Sequence, residues 1–381
     1  MRIQKYKNRI AAIVETTPER VFLYWKGRVA LYAVLKAMGV GEEDEVIIPA
    51  FTCVVVPNAI IYLGAKPVYV DISPDTYNMD ISKLESAITP RTKVIICQNT
   101  FGLSSNLEQI TEFARKHTLF TVEDCTHGFG GYYKGKPNGS FCDAAFYSTQ
   151  WNKPYSTGIG GFLVVNNKSL LESVKALEHE KIKPGLLDNI TLIMLLFLRE
   201  YLINKHTYYF FINLYRILSK KNLIIGSTQG DEMSDIKIPI NYFKEMSFVQ
   251  IVAGIKRLKK LKQVNYLRKK NAKDYTAFLK ANNKKFVRES LFDDHLFLKY
   301  PILVRDRELF FSNARKNKII LGDWFISPLY PIKENLCLWF YDKDLHTNSV
   351  EASKKMLNLP TDIEDNRKIK RFLKDNLDLI E

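Results

Sequence analysis

Residues 143–165 read DAAFYSTQWNKPYSTGIGGFLVV, two apolar segments separated by a polar loop that contains a single lysine, Lys153. The flanking segments predict two core strands, and the glycines of the loop predict a tight turn into the second strand. A lysine between buried strands is costly to desolvate unless it has a partner or a chemical role. From this stretch alone, an exposed loop lysine is the favoured interpretation, because most lysines are exposed.

Helical and strand patterns alternate around this stretch, between about residues 28 and 166. RVALYAVLKAMGV and LEQITEFARKHT have apolar residues at helical spacing, whereas DEVIIPA, KPVYVDI, KVIICQ and LFTVED are short apolar strands. This rhythm predicts an α/β fold with a mostly parallel sheet and helices on both faces. Ligands of such sheets bind beyond the carboxyl ends of the strands, where the polar segments QNTFG, EDCTH and STQWNK converge.

The composition is that of an ordinary globular protein, with 381 residues of which 46% are hydrophobic and 25% charged. The net charge of +15 would attract anions, although a solvated basic surface explains it equally well. The five cysteines are widely spaced, which is typical of reduced thiols in a cytoplasmic protein, and residues 1–20 lack the apolar stretch of a secretory signal. Zinc-type cysteine pairs are missing from the sequence, so we expect no metal, and the glycine stretches do not have the spacing of a dinucleotide or P-loop site. We also expect no nucleic-acid partner.

Three features near the strand ends favour an electrophilic cofactor. A partly desolvated lysine with a lowered pKa, as expected at Lys153, can form a Schiff base. Asp124 directly follows an apolar strand, where a carboxylate can hold a pyridinium nitrogen, and His127 could reach a ring substituent. Residues 27–29 open a predicted helix whose N–H groups suit a phosphate, and Ser148 could add a hydroxyl. Each feature also has an ordinary interpretation, such as a turn cap, a loop glycine or an exposed strand serine.

The ordered series of these stretches resembles the DegT/StrS family of pyridoxal-phosphate sugar aminotransferases. The resemblance is strong over about residues 27–166 and weaker over 245–361, and it rests on ALYAVLKAMGVGEEDEVIIPAFT, PNAIIYLGAKPVYVDISPDTYNMD, VEDCTHGFGGYYKGK, GSFCDAAFYST and KPYSTGIGG. It implies an α/β, aspartate-aminotransferase-like fold (PLP fold type I), in which a large mixed-sheet domain precedes a smaller C-terminal α+β domain. We expect the large, cofactor-binding domain at residues 1–230 and the small domain at residues 231–381.

By position, the resemblance implies a catalytic pair and a set of ligands for pyridoxal 5'-phosphate (PLP). Lys153 matches the Schiff-base lysine, and Asp124 matches the partner of the pyridine nitrogen. His127 matches the residue that contacts the ring oxygen, and Thr126 matches a residue that supports one face of the ring. The other cofactor-binding positions are Ser148 and the turn Gly27, Arg28 and Val29 for the phosphate, Cys53 beside the ring, and Asn241 for the phosphate bound by the partner subunit.

Several positions depart from the family pattern. Arg28 stands where a hydroxyl residue is usual, Cys53 where an aromatic residue often stacks on the cofactor, and Ile159 where the loop usually has an acidic residue. Asn241 aligns only with a gap. These changes leave open a PLP-binding regulator or scaffold without turnover. A PLP-dependent sugar dehydratase is the other alternative, but such family members carry histidine in place of the lysine, so transamination leads.

The resemblance also implies a homodimer with its active site at the subunit interface. L-glutamate would be the amino donor, and a keto sugar, nucleotide-linked, would be the acceptor, for the synthesis of surface polysaccharide or glycoconjugate.

The apolar stretch at residues 186–225 is interpreted as a helical insert in the large domain. Its longest nearly uncharged run, residues 189–198, is too short to span a bilayer. We favour packing of the insert at the dimer interface or over the active site, because apolar helices usually belong to a core. The alternative is contact with the inner face of an anionic membrane, which would make this cytoplasmic protein peripheral.

Overall fold

The computed structural model describes residues 1–204, 207–220, 231–234 and 236–381. The helices are α1 (Arg2–Ile13), α2 (Gly27–Ala37), α3 (Val55–Ile61), α4 (Leu84–Ala87), α5 (Leu107–Lys116), α6 (Lys168–Leu177), α7 (Leu186–Phe197), α8 (Tyr208–Lys220), α9 (Asp231–Ser234), α10 (Phe248–Leu258), α11 (Leu261–Ala281), α12 (Arg307–Lys316), α13 (Thr347–Lys355) and α14 (Arg367–Lys374). The strands are β1 (Val21–Tyr24), β2 (Glu45–Pro49), β3 (Thr52–Cys53), β4 (Lys66–Val70), β5 (Thr92–Gln98), β6 (Phe120–Asp124), β7 (Tyr132–Tyr133), β8 (Lys136–Pro137), β9 (Ala144–Ser148), β10 (Gly161–Val165), β11 (Tyr300–Leu303), β12 (Leu329–Tyr330) and β13 (Met356–Leu359).

A seven-stranded sheet in the order β1-β10-β9-β6-β5-β2-β4 forms the centre of the N-terminal part of the chain. Strands β4, β2, β5, β6 and β9 run parallel. At one edge β10 pairs antiparallel with β9 and β1 pairs antiparallel with β10, so only β10 runs against the other six strands. Strands β2 and β10 are buried along their whole length, as expected when helices cover both faces of a sheet. The predicted α/β fold with a mixed central sheet is confirmed.

The alternation of side chains along each strand divides the core between the two faces of this sheet. In β10, Leu163 and Val165 join a cluster that contains α2, α3 and α6. Phe162 and Val164 point to the other face and join a cluster with α1 and α10. These two layers hold the strand ends, and therefore the loops that follow them, in fixed positions.

The sequence from residue 246 to 283 has the pattern of an amphipathic helix and predicts one long helix there. The structure has two helices in this range, so this prediction is wrong. Helix α10 ends at Leu258 and α11 begins at Leu261. The reason is that the two halves pack in different cores: Ile251 joins the cluster under the central sheet, whereas Tyr275 joins a second cluster. One straight helix would have to turn the same apolar face toward both.

A second core follows the central sheet and contains α11, α12, α14 and the antiparallel pair β11 and β13. In the described residues, its fully buried members start at Ala272, while Met246 and Leu261 still belong to the core of the central sheet. The division between residues 230 and 231 stays a prediction. We propose that the second core begins only within α11.

The insert expected at residues 186–225 is mostly helical where it is described. It consists of α7, a π-helical turn at Leu198–Leu202, and α8. Residues 205–206 and 221–225 of the insert lie outside the described residues. Across the described ranges, no helix has both the length and the apolar character needed to cross a membrane.

Candidate active site

Lys153 lies in the loop between β9 and β10, at the carboxyl edge of the parallel strands. The base of this loop is closed, because the Thr149 N–H donates to the Gly160 carbonyl at 2.8 Å and the hydroxyls of Thr149 and Thr157 lie 2.6 Å apart. Gly158 has a φ of +93°, a conformation that costs little only without a Cβ atom. The loop therefore presents Lys153 from a fixed backbone.

Three arginines from other elements hold carbonyl groups of the same loop. Arg268 of α11 donates to Pro154 at 3.1 Å, Arg257 of α10 to Ser156 at 2.8 Å, and Arg199 of the π-helical turn to Trp151 at 3.0 Å. The guanidinium group suits this role because its donors lie in one rigid plane. Both the insert and the helices that follow it thus help to position the lysine loop.

The ammonium group of Lys153 is desolvated by its surroundings. Burial lowers the pKa of Lys153 to about 8, while the Asp124 carboxylate acts in the opposite direction. The Nζ atom lies 3.4 Å from the Thr126 hydroxyl and 4.6 Å from the centre of the Trp324 ring. With this pKa about a tenth of the amine is neutral at pH 7, so Lys153 can act as a nucleophile and as a base.

Asp124 is the last residue of β6 and is buried. Its carboxylate is close enough to Lys153 for the two charges to interact. Its Oδ1 atom accepts the N–H of Thr126 at 2.9 Å. Burial raises the pKa of Asp124, and the Lys153 ammonium and the Thr126 hydrogen bonds lower it. A buried carboxylate of this kind is ionised only with a cation nearby, which is the environment that a pyridinium nitrogen would provide.

His127 is held as a neutral ring with a defined proton position. The backbone N–H of Phe101 donates to its Nδ1 atom at 3.2 Å, so the neutral imidazole carries its proton on Nε2. Burial lowers the pKa of His127 well below its usual value, and Lys153 and Lys299 lower it further. The ring also stacks on Trp324 with centroids 4.7 Å apart and an interplanar angle of 4°. His127 is therefore a fixed hydrogen-bond donor through Nε2.

The N-terminus of α2 approaches the ends of β9 and β10 closely. A Cβ atom on Gly27 would lie 2.9 Å from the Cβ of Ser148, and one on Gly161 would lie 2.3 Å from the Cα of Gly27. The first N–H groups of a helix have no carbonyl partner within it, and they carry the positive end of the helix dipole. With the Ser148 hydroxyl at the adjacent strand end, this turn fits a phosphate group.

Arg28, which stands in this turn where a hydroxyl residue is usual, pairs with an acidic residue from another part of the chain. Its guanidinium forms a buried ion pair with Glu232 of α9, and its carbonyl accepts the hydroxyl of Tyr242 at 3.2 Å. The backbone carbonyl of Glu232 in turn accepts the Asn58 side chain at 2.8 Å. The positive charge of Arg28 is thus neutralised, and the backbone of the turn is left to provide the phosphate donors.

Replacing Gly27 with alanine is expected to weaken PLP binding about tenfold or more, because the added Cβ pushes α2 away from Ser148 and loosens charge-assisted hydrogen bonds to the phosphate. The same clash should lower the free energy of unfolding by about 1–3 kcal/mol. Cofactor titration and chemical denaturation measure the two effects. Gly41→Ala is the matched control, because a Cβ at Gly41 meets no atom within 4 Å. Unchanged cofactor affinity in the Gly27 variant would refute the assignment of the turn.

The other positions singled out in the sequence lie in three different environments. Cys53 lies at the site, where burial raises the pKa of its thiol and the charges of Arg28, Lys153 and Asp124 act on it. Ile159 is buried against Trp25 and Leu192 of the insert, so its apolar side chain matches the helix packed over it. The side chain of Val29 is buried in the core, which leaves its backbone for the turn. Asn241 is exposed with a φ of +59°, and its predicted role toward a partner subunit stays a prediction.

Trp324, Lys299 and Glu232 lie at the site but were missed in the sequence analysis. Trp324 contacts both His127 and Lys153, and the Nζ of Lys299 lies 5.8 Å from the same indole ring. Trp324 therefore supplies an aromatic surface beside His127 and Lys153. An aromatic run, DWFISPLYP at residues 323–331, was the available signal, but nothing in the sequence links it to residue 153.

The fold is of the aspartate-aminotransferase type, and these groups converge at the carboxyl ends of its parallel strands. Residues 19–189 match the DegT/DnrJ/EryC1/StrS aminotransferase family, in agreement with the resemblance seen in the sequence motifs.

Curated relatives match over stretches of similar length. GDP-perosamine synthase of Escherichia coli O157:H7 is 41% identical over 170 residues, which cover 45% of this chain and 46% of the relative. UDP-2-acetamido-2-deoxy-3-oxo-D-glucuronate aminotransferase of Pseudomonas aeruginosa is 42% identical over 150 residues, which cover 39% of this chain and 42% of the relative. The chain thus matches less than half the length of these curated relatives.

Solved structures extend the similarity of fold to nearly the whole chain. A DegT DnrJ EryC1 StrS aminotransferase from Brucella abortus superposes with a TM-score of 0.75 and 21% identity, covering 98% of this chain and 90% of the other. A Bacillus subtilis protein described as NtdA with bound cofactor PMP gives a TM-score of 0.73 at 21% identity, covering 99% and 77%. The expected fold, including the part after residue 189, agrees with these structures.

Proposed function

We propose that this protein is a PLP-dependent aminotransferase that moves an amino group from L-glutamate to a nucleotide-linked keto sugar. The observation that carries the proposal is Lys153, whose pKa is lowered to about 8 by burial beside the Asp124 carboxylate at the ends of the parallel strands. The names of the two relatives support a sugar acceptor. A spore coat polysaccharide biosynthesis protein of Bacillus subtilis, 39% identical over 148 residues, supports a role in surface polysaccharide or glycoconjugate synthesis.

The residues present fit the cofactor at each of its functional groups. The α2 turn and Ser148 would hold the phosphate, Asp124 the ring nitrogen, and Nε2–H of His127 the ring oxygen. The bound cofactor would supply an electron-poor ring that accepts negative charge when a proton leaves the substrate carbon. Lys153 would take that proton and return it, because its Nζ is desolvated and about a tenth of it is neutral at pH 7.

The cationic character of the site suits the proposed substrates. Burial lowers the pKa values of both Lys153 and Lys299, and the two ammonium groups act on each other. Such groups gain from an anionic partner, which the carboxylates of L-glutamate or the diphosphate of a nucleotide sugar would provide.

We further propose a homodimer that works in the cytoplasm. The exposed Asn241 supports the dimer, since its proposed phosphate would lie in the partner's site. The cysteines support a reducing compartment: all five are free, and the sulfur atoms of Cys97 and Cys142 lie 3.3 Å apart without a disulfide.

The experiment that tests the function incubates the PLP-loaded protein with L-glutamate and a panel of nucleotide-linked keto sugars, with products read by mass. We expect one or more sugars to gain an amino group while glutamate is converted to its keto acid. A PLP-binding regulator would yield no aminated cofactor with glutamate alone, and a dehydratase would yield a sugar that has lost water. Either result would overturn the proposal.

The rate at which PLP becomes covalently attached to the cofactor-free protein is expected to rise with pH and level off above the pKa of Lys153, about 8. The neutral amine is the reactive form, and lowering the pKa from 10.5 shifts its appearance to this lower pH. Asp124→Asn should move the midpoint still lower, because the carboxylate raises the pKa of Lys153. Stopped-flow absorbance measures both profiles. A midpoint close to that of an exposed lysine would contradict the buried environment of Lys153.

A further inference from the structure

Helix α7 of the insert is apolar on the face that points away from the protein. Its inward side is anchored by Leu192, which is fully buried with Trp25 and Ile159. On the outward side, exposed apolar residues recur at intervals of three and four, the spacing of one helical face. They are Leu186, Ile190, Ile193, Met194, Phe197 and Tyr201, with 44–77% of each side chain exposed.

The apolar surface continues onto α10, which packs beside both α7 and α1. Phe248 and Val252 lie one turn apart on α10 and are 56% and 39% exposed. We call the outward face of α7 together with Phe248 and Val252 the α7–α10 surface. Large exposed apolar areas of this kind mark contact sites, because leaving them in water is unfavourable.

The margin of the α7–α10 surface is positively charged. On α10 the stripe that contains Phe248 and Val252 continues into the exposed residues Lys256 and Lys259. The guanidinium of Arg2 lies 5.1 Å above the ring of Phe248, and Lys183 is exposed just before α7.

Carboxylates near the surface are paired with cations. Asp188 forms an ion pair with Lys244 at 2.7 Å, and Glu200 pairs with Lys256 at 3.0 Å and with Arg257 at 3.8 Å. Each carboxylate offsets one cation, and Glu200 meets two, so the margin keeps a net positive charge that comes chiefly from Arg2, Lys183 and Lys259. The surface thus combines an apolar centre with a cationic margin.

We propose that the α7–α10 surface docks on an anionic lipid bilayer, with α7 lying in the plane of the interface. A bilayer complements both properties, because its acyl boundary accepts the apolar side chains and its phosphates attract the cations. A second copy of the chain is disfavoured as occupant, since it would bring two cationic margins together. At 12 residues, α7 is too short to span the hydrocarbon layer, which agrees with a helix lying along it.

Docking in this way would place the lysine loop directly above the membrane surface. The inward side of α7 contacts Gly158, where a Cβ would lie 2.7 Å from Leu192, and Arg199 holds the carbonyl of Trp151. The loop and the docking surface are therefore opposite sides of one helical layer. This contact explains why an apolar residue, Ile159, occupies the loop.

The test is flotation of the full-length, PLP-loaded protein with vesicles of phosphatidylcholine alone or mixed with phosphatidylglycerol. We expect binding to the mixed vesicles that weakens as salt is raised, because salt screens the cationic margin. The double variant Ile193→Asn, Phe197→Asn should reduce the partition coefficient about tenfold or more, because two exposed apolar side chains are lost. Lys256→Gln with Lys259→Gln should reduce the preference for phosphatidylglycerol.

Leu345→Asn is the matched control, because Leu345 is 71% exposed but lies outside the α7–α10 surface, and this variant should float like the parent. Circular dichroism confirms that each variant is folded, and light scattering after gel filtration gives its oligomeric state. Absence of binding to the mixed vesicles at low salt would overturn the proposal. It would also be overturned if the α7 variant still floated, or if that variant dissociated an oligomer, since the surface would then join copies of the chain.

Discussion

Replacing Lys153 with alanine is expected to reduce the rate of amino transfer at least about 10⁴-fold, the upper range for loss of one acid–base group. Lys153 is proposed both to attach PLP and to move the proton of the substrate carbon, and a methyl group can do neither. Turnover with L-glutamate and the best sugar of the panel measures the loss.

A second readout separates covalent attachment from activity. Borohydride reduction of the PLP-loaded protein, followed by peptide mass analysis, should place the cofactor on Lys153 in the parent and on no lysine in Lys153→Ala. Lys26→Ala is the matched control, because burial lowers the pKa of Lys26 to about 8 as well. If the position of the lysine, and not only its lowered pKa, decides where PLP attaches, the Lys26→Ala variant retains the cofactor on Lys153. Attachment elsewhere in the parent, or full turnover by Lys153→Ala, would refute the assignment.

The central fold could be predicted because its signals are local. Short apolar strands alternate with helices between β2 and β9, and each element carries its own pattern. The break at Lys259 and Lys260 could not be predicted in this way, because two lysines fit the polar face of an amphipathic helix. The turn there depends on how the chain passes from the core of the central sheet, which holds α10 and Leu261, to the second core, which holds the later part of α11.

The residues of the site also divide into those that local sequence patterns predict and those that they do not. Lys153, Asp124 and His127 follow strands of one sheet and belong to an ordered motif series, so their proximity could be predicted. Trp324 reaches the site from the far part of the chain, and Glu232 meets Arg28 across 204 residues of sequence. Such contacts depend on how the second core and α9 pack against the sheet, which no local pattern encodes.

The buried face of the insert could not be predicted from the sequence, for a different reason. Helix α7 is apolar on nearly all sides, so its pattern alone cannot tell which face is buried. The side of α7 that carries Leu192 packs on the lysine loop, as expected for a helix over the active site. The opposite side of α7 is exposed. The missing acid at Ile159 and the apolar insert are therefore one feature, because the isoleucine is the contact for this helix.

Asp124→Asn is expected to lower the rate of amino transfer about 10²-fold, because an amide does not hold the cofactor's ring nitrogen in its protonated form. The estimate corresponds to about 3 kcal/mol, the upper range for a hydrogen bond to a charged group. Substitution keeps the size of the side chain and its hydrogen bond from the Thr126 N–H, so the fold and the PLP content should persist. Steady-state kinetics with L-glutamate, together with cofactor content and thermal melting, distinguish lost chemistry from lost structure.

Glu123→Gln provides the matched control, since Glu123 is the adjacent buried carboxylate but points to the opposite face of β6. It accepts hydrogen bonds from Asn99 at 2.8 Å and from the Gly139 N–H at 2.8 Å, and burial raises its pKa. Because its contacts are structural, the glutamine variant should lose stability without a matching loss of rate per bound cofactor. Equal losses of rate in the two variants would show that a buried charge on β6, and not a partner of the ring nitrogen, is what the reaction requires. A normal rate in Asp124→Asn would remove Asp124 from the mechanism, because the site would then activate the ring without a carboxylate at this position.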